Sequence, residues 1–231
     1  MAVSTKACDY IFLRRFFMNN LTELVFILDK SGSMCGMEKD VIGGFNSMIK
    51  RQREESGNAL VSTFLFSDGT EMLHDRVELD KIKPMTEKEY VTDGCTALYD
   101  AIGKAVDHIG KIHKYAREED RPARTIFIIT TDGMENASKF FTARQVKNLI
   151  NRQKKKYGWE FLFVAEDPDF EQSAAEIGID KDRAVQYCAG TDTPAMFDEM
   201  SKTLLSFRRT GRVRKNWAEN ISHDTDKKPK K

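Results

Sequence analysis

The sequence contains no run approaching the eighteen or so uninterrupted apolar residues of a membrane-spanning helix, so no segment reads as a span. Its four cysteines, at 8, 35, 95 and 188, lie far apart with no CxxC among them. That argues against a disulfide framework or a zinc ribbon and for a reduced, cytoplasmic setting. Four histidines, at 74, 108, 113 and 223, fall at no metal-binding spacing. There is no GxxxxGK[ST], no GxGxxG and no GxSxG, which removes the usual phosphate-cradling loops and the serine-hydrolase elbow. The opening residues read as a poor signal peptide. The stretch "MAVSTKACDYIFLRRFFMNN" is apolar in patches, but Arg14 and Arg15 split it and no small-residue cleavage site follows. Met18 begins a more conventional start, so residues 1–17 read as an upstream extension or unpacked arm.

Charge is nearly balanced but unevenly placed. Residues 208–231 carry a net +6, leaving −5 for the rest of a chain whose total is +1. With 231 residues there is material for one sizeable core. The expected organisation is an unstructured extension over 1–21, one domain over 22–210, and a basic, disordered tail over 211–231. That tail, with "RRTGRVRKNW", "KKPKK" and Trp217 to stack on a base, is the feature that would bind nucleic acid. Terminal charge runs are more often solvated and the body is acidic, so nucleic-acid binding is the weaker expectation.

Hydrophobic patterning sets the fold. Leu24–Leu28, "TIFIIT" at 125–130 and "WEFLFVA" at 159–165 are solidly apolar, as central parallel strands buried on both faces are. "LVSTFLF" at 60–66, the turn "SDGT" and the alternating "EMLHDRVEL" read as a hairpin with an antiparallel edge. Between them lie helical periods: 37–55, a strong one opened by Thr96, another after Thr142 as N-cap, a short one at 172–178, and a closing amphipathic helix at 194–209. Gly43 and Gly44 weaken the first helix unless close packing against a neighbour compensates. Ala184–Tyr187 is a short edge strand. Strands alternating with helices predict an α/β, doubly wound, mostly parallel sheet with one antiparallel edge strand and helices on both faces.

In such a sheet ligands bind outside the carboxyl ends of the strands. Two apolar strands end on aspartate: "VFILD" at Asp29 and "IFIITTD" at Asp132. Asp29 is followed by Ser31 and Ser33, whose two-residue period aims three oxygens one way if the backbone stays extended. Thr96 adds a hydroxyl from the loop "TDGCT". Carboxylates and hydroxyls are hard donors, suited to Mg²⁺ or Mn²⁺. The bland alternatives are turn chemistry at Asp29 and Asp132 and a helix-dipole role for Asp100. Cys35 and Cys95 flank these motifs and read as small thiols rather than a disulfide or zinc pair.

DxSxS at 29–33, the lone loop threonine at 96 and TDG at 131–133 resemble the metal-ion-dependent adhesion site of the von Willebrand factor type A domain, over roughly residues 22–209. The resemblance implies a Rossmann-like fold and Mg²⁺ (or Mn²⁺) held by Asp29, Ser31, Ser33, Thr96 and Asp132. Glu135 and Asn136 read equally as residues that orient waters around that metal and as solvated loop residues. It implies a non-enzymatic protein-binding module, bacterial or phage in origin, whose metal accepts an Asp or Glu from a partner. An AAA+ ATPase or a multi-protein assembly is the implied partner. A closing helix that shifts when the site is occupied is a further expectation. A Mg²⁺-dependent hydrolase is the enzymatic alternative, and the missing DxD after the first strand counts against it.

Overall fold

The computed structural model describes residues 21–188 and 193–221; the expectations for residues 1–20 and 222–231 lie outside the described residues. Six strands form one sheet in the order β3-β2-β1-β4-β5-β6. They are β1 (Thr22–Asp29), β2 (Ala59–Phe66), β3 (Thr70–Glu78), β4 (Arg124–Thr131), β5 (Glu160–Ala165) and β6 (Ala184–Gln186). All neighbours pair parallel except β2 and β3, which form the expected antiparallel hairpin. Among the described residues five α-helices cover the sheet: α1 (Glu38–Arg53), α2 (Leu98–Tyr115), α3 (Ala143–Tyr157), α4 (Phe170–Glu176) and α5 (Thr193–Thr210).

The two-residue period of β1 divides the core. Leu24, Phe26 and Leu28 point to a layer with Phe45 of α1 and Met200, Leu204 and Phe207 of α5. Val25 and Ile27 point to the opposite layer, with Ile102 and Val106 of α2 and Ile150 of α3. Thr142 caps α3 with a reciprocal capping box to Gln145, as its position in the sequence predicts. Gly44 meets the packing that its place in a helix requires: a Cβ there would stand 2.2 Å from the ring of Phe197 on α5.

The tail departs from expectation. Residues 211–221 are not solvated but lie on the α1–α5 layer, with Val213, Trp217 and Ile221 all buried in its core. Trp217 Nε1 donates to Asp182 O at 2.9 Å, and Thr203 Oγ1 donates to Trp217 O at 3.3 Å. Burying these three apolar side chains outweighs the solvation of the arginines and lysine between them, which stay at the surface. The boundary placed at residue 210 is therefore too early. At the other end of the strands, Arg76 adopts φ 49° where the β2–β3 register shifts, and its Nε donates to the buried Glu23 at 2.9 Å.

Candidate metal centre

β1 lies between β2 and β4, so the chain leaves its carboxyl end in one direction and returns beside it from the other. This topological switch opens a crevice there, and Asp29 and Asp132 stand on its two sides. Asp29 is the last residue of β1 and is buried. Its Oδ1 accepts the Ser31 N–H at 2.8 Å, an Asx turn that bends the chain out of the strand. Its Oδ2 accepts Thr131 Oγ1 at 2.7 Å, tying β1 to β4. The Tyr90 hydroxyl donates to the Asp29 carbonyl from below.

The predicted residues converge. Ser31 and Ser33 hydroxyls are 3.1 Å apart, and Ser33 Oγ donates to Asp132 Oδ1 at 2.7 Å. Thr96 reaches the same place: a Cβ on Gly133 would stand 3.0 Å from Thr96 Oγ1 and 3.5 Å from Ser33 Oγ. Glycine at 133 keeps that space clear. Two backbone bonds, Asp93 N to Lys30 O and Gly32 N to Gly94 O, both 3.0 Å, hold the Thr96 loop against the serine loop. Asp29, Ser31 and Thr96 form a buried floor, while Ser33 is exposed and Asp132 half-buried.

Burial pushes the Asp29 carboxyl up to about 6, against the hydrogen bonds from Ser31 and Thr131. Burial raises Asp132 as well, opposed by its bond from Ser33. Lys30, the nearest cation in sequence, turns instead to Glu71 at 2.9 Å. Two desolvated carboxylates and three hydroxyls form a donor set of hard oxygens that fits a small divalent cation. Among the described residues no three His, Cys, Asp or Glu side chains cluster to hold a metal. Any metal here therefore relies on the hydroxyls.

Glu135 and Asn136 act on the protein chain around the site. Asn136 Oδ1 accepts the Thr96 N–H at 2.9 Å and its own N–H donates to Thr96 O at 3.1 Å. Glu135 accepts four bonds, from the N–H groups of Tyr99, Ala137 and Ser138 and from the Ser138 hydroxyl, all within 3.0 Å. Its accepting capacity is taken up in bracing the first turn of α2 against the loop after β4. Asp100 does similar work, accepting the N–H groups of Lys139, Phe140 and Phe141. Sequence reasoning missed Thr131 and Tyr90; the doubled threonine before Asp132 was the available signal for the first. Cys35, Cys95 and Cys188 are exposed.

No family model matches the sequence, and no curated protein is similar to it. Solved structures do share its fold. The vWF domain of the type V pili tip protein Mfa5 from Porphyromonas gingivalis is 12% identical with a TM-score of 0.59, over 84% of this chain and 98% of that one. A von Willebrand factor type A protein from Catenulispora acidiphila is 17% identical, TM-score 0.55, over 80% of this chain and 42% of that one. Proximal thread matrix protein 1 from the mussel byssus, in a structure with a zinc-occupied MIDAS motif, is 14% identical, TM-score 0.55, over 81% and 47%. The chain thus spans less than half the length of the last two. The chain has the fold of the von Willebrand factor type A domain.

Proposed function

We propose that this domain is a divalent-metal-dependent protein-binding module. Asp29, Ser31, Ser33, Thr96 and Asp132 hold Mg²⁺ or Mn²⁺, and an Asp or Glu of a partner completes the coordination. The observation that carries the reading is the chain of contacts from Ser31 to Ser33 at 3.1 Å and from Ser33 to Asp132 at 2.7 Å across two strand ends, with the Thr96 hydroxyl facing the same point. Five protein groups leave a position of a six-coordinate ion open, where Mg²⁺ retains an exchangeable water that an incoming carboxylate replaces. The metal supplies a focused positive charge; the chain supplies a fixed frame and an open rim. A cytoplasmic adaptor for an AAA+ ATPase or a multi-protein assembly is the role proposed for it. No described helix is long and apolar enough to cross a membrane.

The test is a thermal melt of chelator-treated protein titrated with Mg²⁺, Mn²⁺ and Zn²⁺, on wild type and Asp132→Ala. At roughly 100-fold above Kd a ligand of the native state adds about 2.7 kcal/mol. At about 2–4 °C per kcal/mol for a domain of this size, the midpoint rises by about 5–10 °C. The variant shows no rise. Absence of any shift in the wild type, with calorimetry also silent, would sink the reading.

A further inference from the structure

Beside the candidate metal centre, and sharing Thr131 and Gly133 with it, lies a cavity of about 160 Å³ at the carboxyl ends of β4 and β5. At about 30 Å³ per water it has room for about five waters, or for one long, unbranched side chain. Its floor is apolar, made by Leu98, Phe163 and Ala165. Met134, on its rim and directly after Gly133, leaves 69% of its surface exposed. Four carboxylates line the walls, those of Glu135, Asp167, Asp169 and Glu176, and no lysine or arginine does. Two of the four have their oxygens engaged: Glu135 as described, and Asp167, which accepts Asp169 N and Ser173 Oγ, both at 2.8 Å. Asp169 and Glu176 are exposed, and Glu176 accepts from Gln172 Nε2 at 3.1 Å.

A second metal ion does not suit this cavity. No three of its acids come together as metal ligands, so the charge surrounds the space without converging on a point. An apolar floor beneath an acidic mouth instead fits a side chain with an aliphatic stem and a cationic head. We infer that the cavity takes a lysine or arginine of the partner, whose Asp or Glu sits on the neighbouring metal. The partner motif is then an acidic residue and a basic one on the same short segment, with its stem packing against Met134. This inference rests on the proposed metal-dependent reading and narrows it from any acidic anchor to a mixed-charge one. The four wall carboxylates repel an acid-only segment, so they also select against partners with clustered acids.

The experiment pans phage-displayed random peptides on the full-length protein in Mg²⁺ and releases them with EDTA. The expected result is enrichment of sequences that carry Asp or Glu with a Lys or Arg at a constant offset. A synthetic peptide of the enriched sequence is then measured against wild type and the Asp169→Asn/Glu176→Gln double variant. Its affinity falls by about threefold to tenfold in the variant, as for removal of partly exposed charge pairs. The same peptide with its basic residue replaced by alanine binds both proteins equally. Enrichment of acidic residues with no basic companion overturns the inference and leaves the metal reading standing. Recovery of no EDTA-released peptide from a protein whose melting point does respond to Mg²⁺ also overturns it. If Mg²⁺ moves nothing at all, the metal reading fails and the inference falls with it.

Discussion

Asn136 and Thr96 hold each other by two reciprocal hydrogen bonds, side chain to backbone at 2.9 Å and backbone to backbone at 3.1 Å. The Thr96 hydroxyl is thereby fixed from the loop after β4, which also carries Asp132. Replacing Asn136 with alanine removes the side-chain acceptor and frees the Thr96 loop. Metal affinity is expected to fall about tenfold, in the range seen for residues that orient ligands. Asn136→Asp, which keeps an acceptor at that place, restores most of it. Calorimetric titration of Mn²⁺ into the three proteins checks this.

Gly133 gives a sharper test of where the oxygens point. Its backbone is not left-handed, so alanine is allowed by conformation. The added methyl stands 3.0 Å from Thr96 Oγ1 and 3.5 Å from Ser33 Oγ. Gly133→Ala is expected to melt within about 2 °C of wild type in chelator, a surface-scale effect. It should lose most of the midpoint rise on adding Mg²⁺. An undiminished rise would place the metal elsewhere.

Asp29 sets a conflict between stability and function. Its folded pKa, about 6, lies above the ordinary carboxylate value near 3.8. The folded state therefore favours the protonated form. That contribution is fully present below about pH 4 and is lost as pH rises through about 6. At pH 8 the metal-free protein carries the cost of a buried charge, of order 1–3 kcal/mol. Asp29→Asn keeps an acceptor for Ser31 and can donate to Thr131. Its melting point in chelator should exceed wild type by about 3 °C or more at pH 8 and match it near pH 4, with no response to Mg²⁺ at either pH. A pH-independent difference would refute this account.

The two adjacent glycines of α1 make opposite predictions. Gly43 is exposed and a Cβ there meets nothing within 4 Å, so Gly43→Ala stabilises by about 0.5–1 kcal/mol through helix propensity. Gly44 lies under Phe197, with 2.2 Å to the nearest ring carbon, so Gly44→Ala destabilises by about 1–3 kcal/mol. Urea unfolding of the pair reads both signs. Equal effects would mean that α5 does not seat against α1 as described.

Trp217 anchors residues 211–221. Truncation to alanine removes a buried indole and its bond to Asp182 O, and is expected to cost about 3–5 kcal/mol in urea unfolding. A solvated tail would show no change.

The central strands were legible because burial on both faces leaves an unbroken apolar run, as in Leu24–Leu28 and Ile126–Ile129. The five oxygen donors were legible because strand ends in a doubly wound sheet must converge. Glu135 was not, since its role is to accept from N–H groups on a different loop and on α2, and the sequence holds no trace of that pairing. Residues 211–221 were misread because six of the eleven positions are polar or charged. The signal was nonetheless there: Val213, Trp217 and Ile221 recur every fourth residue. Expected movement of the closing helix meets an obstacle in Arg208, whose buried guanidinium donates to the carbonyls of Gln52, Glu55 and Gly57 at the end of α1.

Arg76 has a consequence for how copies of this domain behave when crowded together. β3 is an outer strand of the sheet, and a flat, regular outer strand invites a strand from a neighbouring molecule to join it. The left-handed backbone at Arg76, fastened through its guanidinium to the buried Glu23, interrupts that edge two residues from its end. Copies of the domain at high concentration can then stand side by side without their sheets fusing.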